Sequence, residues 1–130
     1  MTMRRSCYLV GVLALLVVGT LMFADADGSW LRKVPAQDHS KVNPMQGEKD
    51  AAVAGEFLFA EHCASCHGKN AEGKKKKPSL RSLRVQHSAT DGDLHWLLVN
   101  GNMAKGMPSW AKLPDPQLWQ LISYVKSLNN

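Results

Sequence analysis

Cys63-Ala64-Ser65-Cys66-His67 is the stretch on which the reading of this chain turns. Two cysteines three apart present both sulfurs to one side of a helical turn, and the histidine directly after them brings an imidazole to the same place. That spacing is the attachment signature of a c-type haem: each sulfur adds to a vinyl group, and His67 serves as proximal iron ligand through a neutral imidazole nitrogen. Two other chemistries use a C-x-x-C pair. A four-cysteine zinc site needs a second pair, and the one further cysteine is Cys7, far upstream beside an apolar run. A thioredoxin-like redox pair sits in an α/β pattern, and no stretch alternates as strands do. Because C-x-x-C-H occurs once, the expectation is one covalent haem c.

Upstream, Arg4 and Arg5 precede Tyr8 to Ala24, an uninterrupted apolar run that ends in Ala24-Asp25-Ala26. A basic start, an apolar middle and small residues around a cleavage point are the plan of an export signal. The run of about 17 residues is longer than most signal cores and at the lower limit for a bilayer span. Residues 1–26 are therefore read as a cleaved signal or as an N-terminal apolar helix retained as a membrane anchor. Export to the periplasmic side suits haem attachment, which needs cysteines handled outside the cytoplasm. The 130 residues carry 16 Lys+Arg and 11 Asp+Glu, a formal +5. Loss of Arg4, Arg5 and Asp25 with the signal leaves +4, so the mature chain stays basic and favours acidic partners or anionic surfaces.

Residues 27–49 hold Gly28, Pro35, Pro44 and Gly47 without a sustained period and read as a linker or strap. Trp30, Leu31 and Val34 in it suit either a membrane interface or packing against the domain that follows. A first helix is expected from Asp50, as N-cap, to His62. Gly68 to Ala89, with Gly73, four lysines and Pro78, is expected as a long loop. Thr90-Asp91-Gly92-Asp93 has the form of a capping box before Leu94, Trp96, Leu97, Leu98 and Val99, and Gly101 stops that helix. Pro114-Asp115-Pro116 places an N-cap and a proline before a last helix with Leu118, Leu121, Ile122, Val125 and Leu128 on one face. Three helices give a thin core, to which a fixed haem adds apolar volume.

From Ala51 to Asn130 these residues resemble the small class I cytochrome c domain, the monohaem c-type cytochrome. Gly55-x-x-x-Phe59 looks like that family's first-helix pattern, and Leu121-x-x-Tyr124-Val125 like its partner on the last helix. The resemblance implies an all-α fold of residues 50–130, with long loops wrapped around one haem. It places Pro78 where a carbonyl accepts the Nδ1 hydrogen of the proximal histidine, a bond that fixes the ring. It identifies Gly106-Met107-Pro108-Ser109-Trp110 with the distal segment, Met107 binding iron through sulfur and Trp110 bordering the haem. The implied cofactor-binding set is Cys63, Cys66, His67, Pro78, Met107 and Trp110, with His67 and Met107 on the metal.

Met103 competes with Met107 for the distal position, but only Met107 has a proline behind it to stiffen the loop. His87 is the histidine kept as an alternative ligand, while His95, beside Trp96, is read as a surface or packing residue. Lys74 to Lys77, with Lys69, Arg81 and Arg84 nearby, read equally as a solvated loop or as a surface that steers acidic redox partners. The implied function is one-electron transfer between exported or membrane redox proteins, without catalysis or nucleic-acid binding. The rivals are an anchored subunit of a respiratory or dehydrogenase complex and a haem sensor or enzyme that lacks methionine ligation.

Overall fold

Helix α2 (Lys49–His62) and helix α5 (Asp115–Ser127) cross at Gly55, and the other described elements are arranged around that crossing. The computed structural model describes residues 28–129. The apolar run at 8–24 and the proposed signal or anchor at 1–26 lie outside the described residues. Among the described residues no helix is long and apolar enough to cross a membrane.

The crossing is close because Gly55 has no side chain. A Cβ there would lie 1.9 Å from the Gln120 carbonyl oxygen and 2.9 Å from Tyr124 Cβ. One turn further on, Phe59 meets Tyr124 with ring centroids 5.2 Å apart. These two join Leu121 and Ala71 in one buried cluster. On the other side of α5, Ile122 and Trp119 pack with Leu94 and Ala89 in a second. The apolar positions of α5 fall at i, i+3, i+4 and i+7, which is the stripe a helix needs to serve both clusters.

Helix α4 (Asp91–Asn100) begins with the expected box: Thr90 Oγ1 accepts from the Asp93 amide, and the Asp93 carboxylate accepts from the Thr90 amide. It ends at Gly101. Helix α5 starts one residue earlier than expected. Pro114 is its cap, and Asp115 lies inside the first turn, where its carboxylate accepts from His95 Nε2 at 2.6 Å and Trp119 Nε1 at 2.8 Å. His95 is buried and stacks on Trp119 at 4.2 Å. Helix α2 likewise begins at Lys49 behind Glu48, with no side-chain cap from Asp50.

Residues 28–48 form a 3-10 turn (Ser29–Lys33) and a short helix α1 (Ala36–His39) that lie on the domain. Trp30 and Leu31 pack against the second cluster. His39 Nδ1–H donates to Asp93, Thr90 Oγ1 donates to the His39 carbonyl, and Asn43 Nδ2 donates to the Trp119 carbonyl. The long loop after Gly68 closes with a π-helical turn, Arg84–Ser88. Lys126 donates to the carbonyls of Val85, Gln86 and Ala89 there, and burial holds its ammonium below the usual lysine range. Among the described residues there is no strand, only two isolated bridges, Lys74 to Lys77 and Asn102 to Met107.

Candidate functional site

Helix α2 runs into Cys63, whose amide bonds back to the Phe59 carbonyl, and the chain then turns at once into helix α3 (Ala64–His67). This four-residue helix carries Cys66 and His67, and Cys63 is the residue that caps it. The amides of Cys66 and His67 both donate to the Cys63 carbonyl, so the two cysteines and the histidine are held by one turn of backbone. Neither Cys63 nor Cys66 is in a disulfide, and Cys66 is exposed. Cys63 is half-buried against the Phe59 cluster, and burial pushes its thiol up to about 12.

His67 Nδ1 lies 3.0 Å from the Pro78 carbonyl oxygen. A carbonyl can only accept, so the proton of a neutral ring sits on Nδ1 and Nε2 keeps its lone pair. The part of the long loop that brings Pro78 there is well tied. Gly73 N–H donates to the His67 carbonyl, and the amides and carbonyls of Lys74 and Lys77 pair around a tight turn with Lys75 at φ 50°. Leu80 N–H then returns to the Ala71 carbonyl.

The segment from Asn102 to Met107 is a second closed loop. Asn102 N–H donates to the Met107 carbonyl at 2.8 Å, and Met107 N–H to the Asn102 carbonyl at 3.0 Å. A 3-10 turn, Met103–Lys105, makes its tip, and Gly106 returns the chain at φ 77°. Met107 is half-buried at the base, whereas Met103 is 72% exposed at the tip. Beyond it Trp110 N–H donates to the Leu98 carbonyl, Ser109 Oγ donates to the Val99 carbonyl, and the Trp110 ring meets His62 at 5.2 Å. Trp110 thus rests against the residue that precedes Cys63. His87, the alternative ligand, is exposed in the π-helical turn.

A haem needs two thiols on one turn, an imidazole with a free Nε2, a second soft or nitrogen donor and an apolar wall. Cys63 and Cys66 are held by one turn, the His67 ring has its Nδ1 proton engaged by Pro78, and Met107 is a soft donor half-buried at the base of the second loop. For the wall, Leu58, Leu80, Leu98 and Leu113 are partly buried and pack, as Cys63 does, against the Phe59 cluster. The residues present therefore fit the group. Two cavities lie elsewhere, one of about 320 Å³ between the strap and the start of α4 and one of about 450 Å³ between the strap, α2 and α5, and neither is lined by any of the six candidates.

The four lysines are not equivalent. Lys75 and Lys76 are exposed, Lys74 Nζ reaches the Ser65 carbonyl at 3.4 Å, and Lys77 is half-buried with Nζ donating to the Lys105 carbonyl at 3.0 Å. Arg81 Nε is occupied by the Asn70 carbonyl. Within the same loop the Glu72 carboxylate is held below the usual range, first by backbone N–H groups of Glu72 and Asn70. Read in the sequence as one patch, the run concealed the separate contact of Lys77, and the Asn102 closure was also missed. Asn102, Gly106 and Pro108 around Met107 were the available signal for the closed loop.

Residues 50–125 match the family described as cytochrome c oxidase, cbb3-type, subunit III. The chain is 31% identical over 83 residues to the CcoP subunit of the cbb3-type oxidase of Rubrivivax gelatinosus, covering 63% of this chain and 27% of that protein. It is 29% identical over 100 residues to CcoP of Rhodobacter capsulatus, covering 68% and 33%. The corresponding FixP subunit of Bradyrhizobium sp. (strain ORS 278) is 35% identical over 80 residues, covering 59% and 27%. The chain thus spans about a quarter to a third of the length of these curated relatives. Among solved structures it is similar to cytochrome cL of the marine methylotroph Methylophaga aminisulfidivorans, with TM-score 0.57 and 28% identity over 66% of this chain and 58% of that one.

Proposed function

We propose a specific role from one premise: this chain belongs to the family of cbb3-type cytochrome c oxidase subunit III and is a c-type cytochrome with an electron-transfer role. In our reading residues 50–130 hold one haem c, residues 27–49 are a strap on that domain, and residues 1–26 direct export or anchor the chain on the periplasmic side. Cys63 and Cys66 form the thioethers, His67 Nε2 is the proximal ligand and Met107 sulfur the distal one. Bound haem supplies reversible one-electron chemistry. The observation that carries the reading is the bond from His67 Nδ1 to the Pro78 carbonyl, because it fixes the tautomer and orientation in which Nε2 can bind a metal.

Two axial ligands from the chain itself leave no position for a substrate, so the protein passes electrons and catalyses no reaction of its own. Exposed Lys69, Lys75 and Lys76, near the motif in sequence, supply the docking charge for an acidic redox partner. A second reading, a subunit held permanently in a respiratory complex, is favoured by the relatives, which are named as oxidase subunits.

The test is ferric and ferrous spectroscopy with potentiometry. Wild type and Met103→Leu should show the near-infrared methionine-to-iron band. Met107→His should lose it, remain low-spin and fall in potential by a sizeable part of the ~0.8 V that axial ligands command. Loss of the band in Met103→Leu with retention in Met107→His would show that Met103, not Met107, is the ligand.

A further inference from the structure

We propose that Lys77 is a positioning residue that latches the distal loop to the proximal one, a reading that rests on Met107 as iron ligand. Its backbone closes the turn with Lys74 and leads directly into Pro78, the residue whose carbonyl orients His67. Its ammonium crosses to the other loop and donates to the Lys105 carbonyl at 3.0 Å, two residues before Met107. One side chain therefore joins the segment that orients the proximal histidine to the segment that presents the distal sulfur, 28 positions apart in sequence.

The distal loop is tied at its base by the Asn102 and Met107 backbone pair, whereas its tip, Met103 to Gly106, is exposed. The Lys77 contact falls on that tip. Lys105 ends the 3-10 turn, so its carbonyl is at the negative end of the turn, where a cation is favoured. Gly106 keeps the approach open: a Cβ there would stand 2.9 Å from Lys77 Nζ, and the residue is already at φ 77°. Lys75 and Lys76 are exposed on the same turn and make a natural comparison, since they share the charge of Lys77 without its contact to Lys105.

If the latch holds Met107 in place, weakening it opens the distal position to an outside ligand. The probe is free imidazole added to the ferric holoprotein, where binding requires Met107 to leave. Loss of a single exposed charge-assisted hydrogen bond should raise imidazole affinity about fivefold in Lys77→Met. Lys77→Arg, which keeps a donor and the charge, should stay near wild type, and Lys76→Gln, which removes only charge, should not change. Equal affinity in Lys77→Met and wild type overturns the latch, as does a Lys76→Gln effect as large as that of Lys77→Met. Met107→Ala reports on the underlying reading separately. If its ferric spectrum matches wild type, Met107 is not the ligand and the latch has nothing to hold.

Discussion

Replacing Gly55 by alanine tests the helix crossing on which the site depends. The new Cβ would stand 1.9 Å from the Gln120 carbonyl oxygen, 2.6 Å from its carbon and 2.9 Å from Tyr124 Cβ. Ordinary contact begins near 3.4 Å, so α2 and α5 must part by about 1.5 Å. No rotamer change relieves a clash with backbone. Alanine gains about 1 kcal/mol in helix propensity over glycine. Against this, overpacking typically costs about 1–3 kcal/mol, and an unyielding backbone puts this case at the upper end. The same displacement loosens the Phe59 and Tyr124 contact, with a further loss of about 0.5–1.5 kcal/mol. The steric terms win, and the net destabilisation is about 2–4 kcal/mol. For a domain of this size that lowers Tm by roughly 10–25 °C. The assay is thermal unfolding of the holoprotein followed by far-ultraviolet circular dichroism, with Glu56→Ala, an exposed neighbour, expected within about 0.5 kcal/mol of wild type. A Gly55→Ala protein as stable as wild type refutes the close crossing.

Three further outcomes are expected. Cys63→Ala combined with Cys66→Ala should yield little holoprotein and a largely unfolded chain, because the thin core loses the group that completes it; cell extracts stained for haem, with circular dichroism of the purified chain, check this. The His95 hydrogen bond, foremost, and that of Trp119 hold Asp115 below the usual carboxylate range. Its contribution is therefore present above the ordinary value of about 3.9 and is lost as pH falls through the lowered folded value. Asp115→Asn should lower stability at neutral pH by no more than about 1–2 kcal/mol, since the carboxylate is largely exposed, and should flatten this part of the acid limb in urea titrations. Lys75→Gln with Lys76→Gln should leave spectrum and potential nearly unchanged yet slow electron transfer to an acidic partner and flatten its salt dependence; an unchanged rate across the salt range returns the pair to a solvated loop.

Much of the scaffold is legible in the sequence, for local reasons. The Thr90 and Asp93 box, the Gly101 stop and the α5 stripe depend on residues within a few positions of one another, and the structure has all three. Gly55, Phe59 and Tyr124 were legible through the family resemblance and meet as it implies. What stayed hidden depends on distant partners. Asp115 has the spacing of an N-cap, but its carboxylate is claimed by His95, 20 residues away. Residues 28–48 show no period because α4 and α5 hold them: Asp93 anchors His39, and the Trp119 carbonyl anchors Asn43. The π-helical turn needs the Lys126 ammonium from 37 to 41 positions away. At the candidate site the motif residues were legible from spacing alone, whereas the crossing contact of Lys77 was concealed inside a run of four like residues.

The central claim is that Cys63 and Cys66 carry one haem covalently, with His67 beneath it. Intact mass of the holoprotein after denaturation and extraction with acidified acetone, followed by peptide mapping, addresses it directly. The mass expected is that of the chain plus one haem, with the added mass on the peptide that contains residues 63–67. A bare chain mass, with the haem in the acetone, would contradict it.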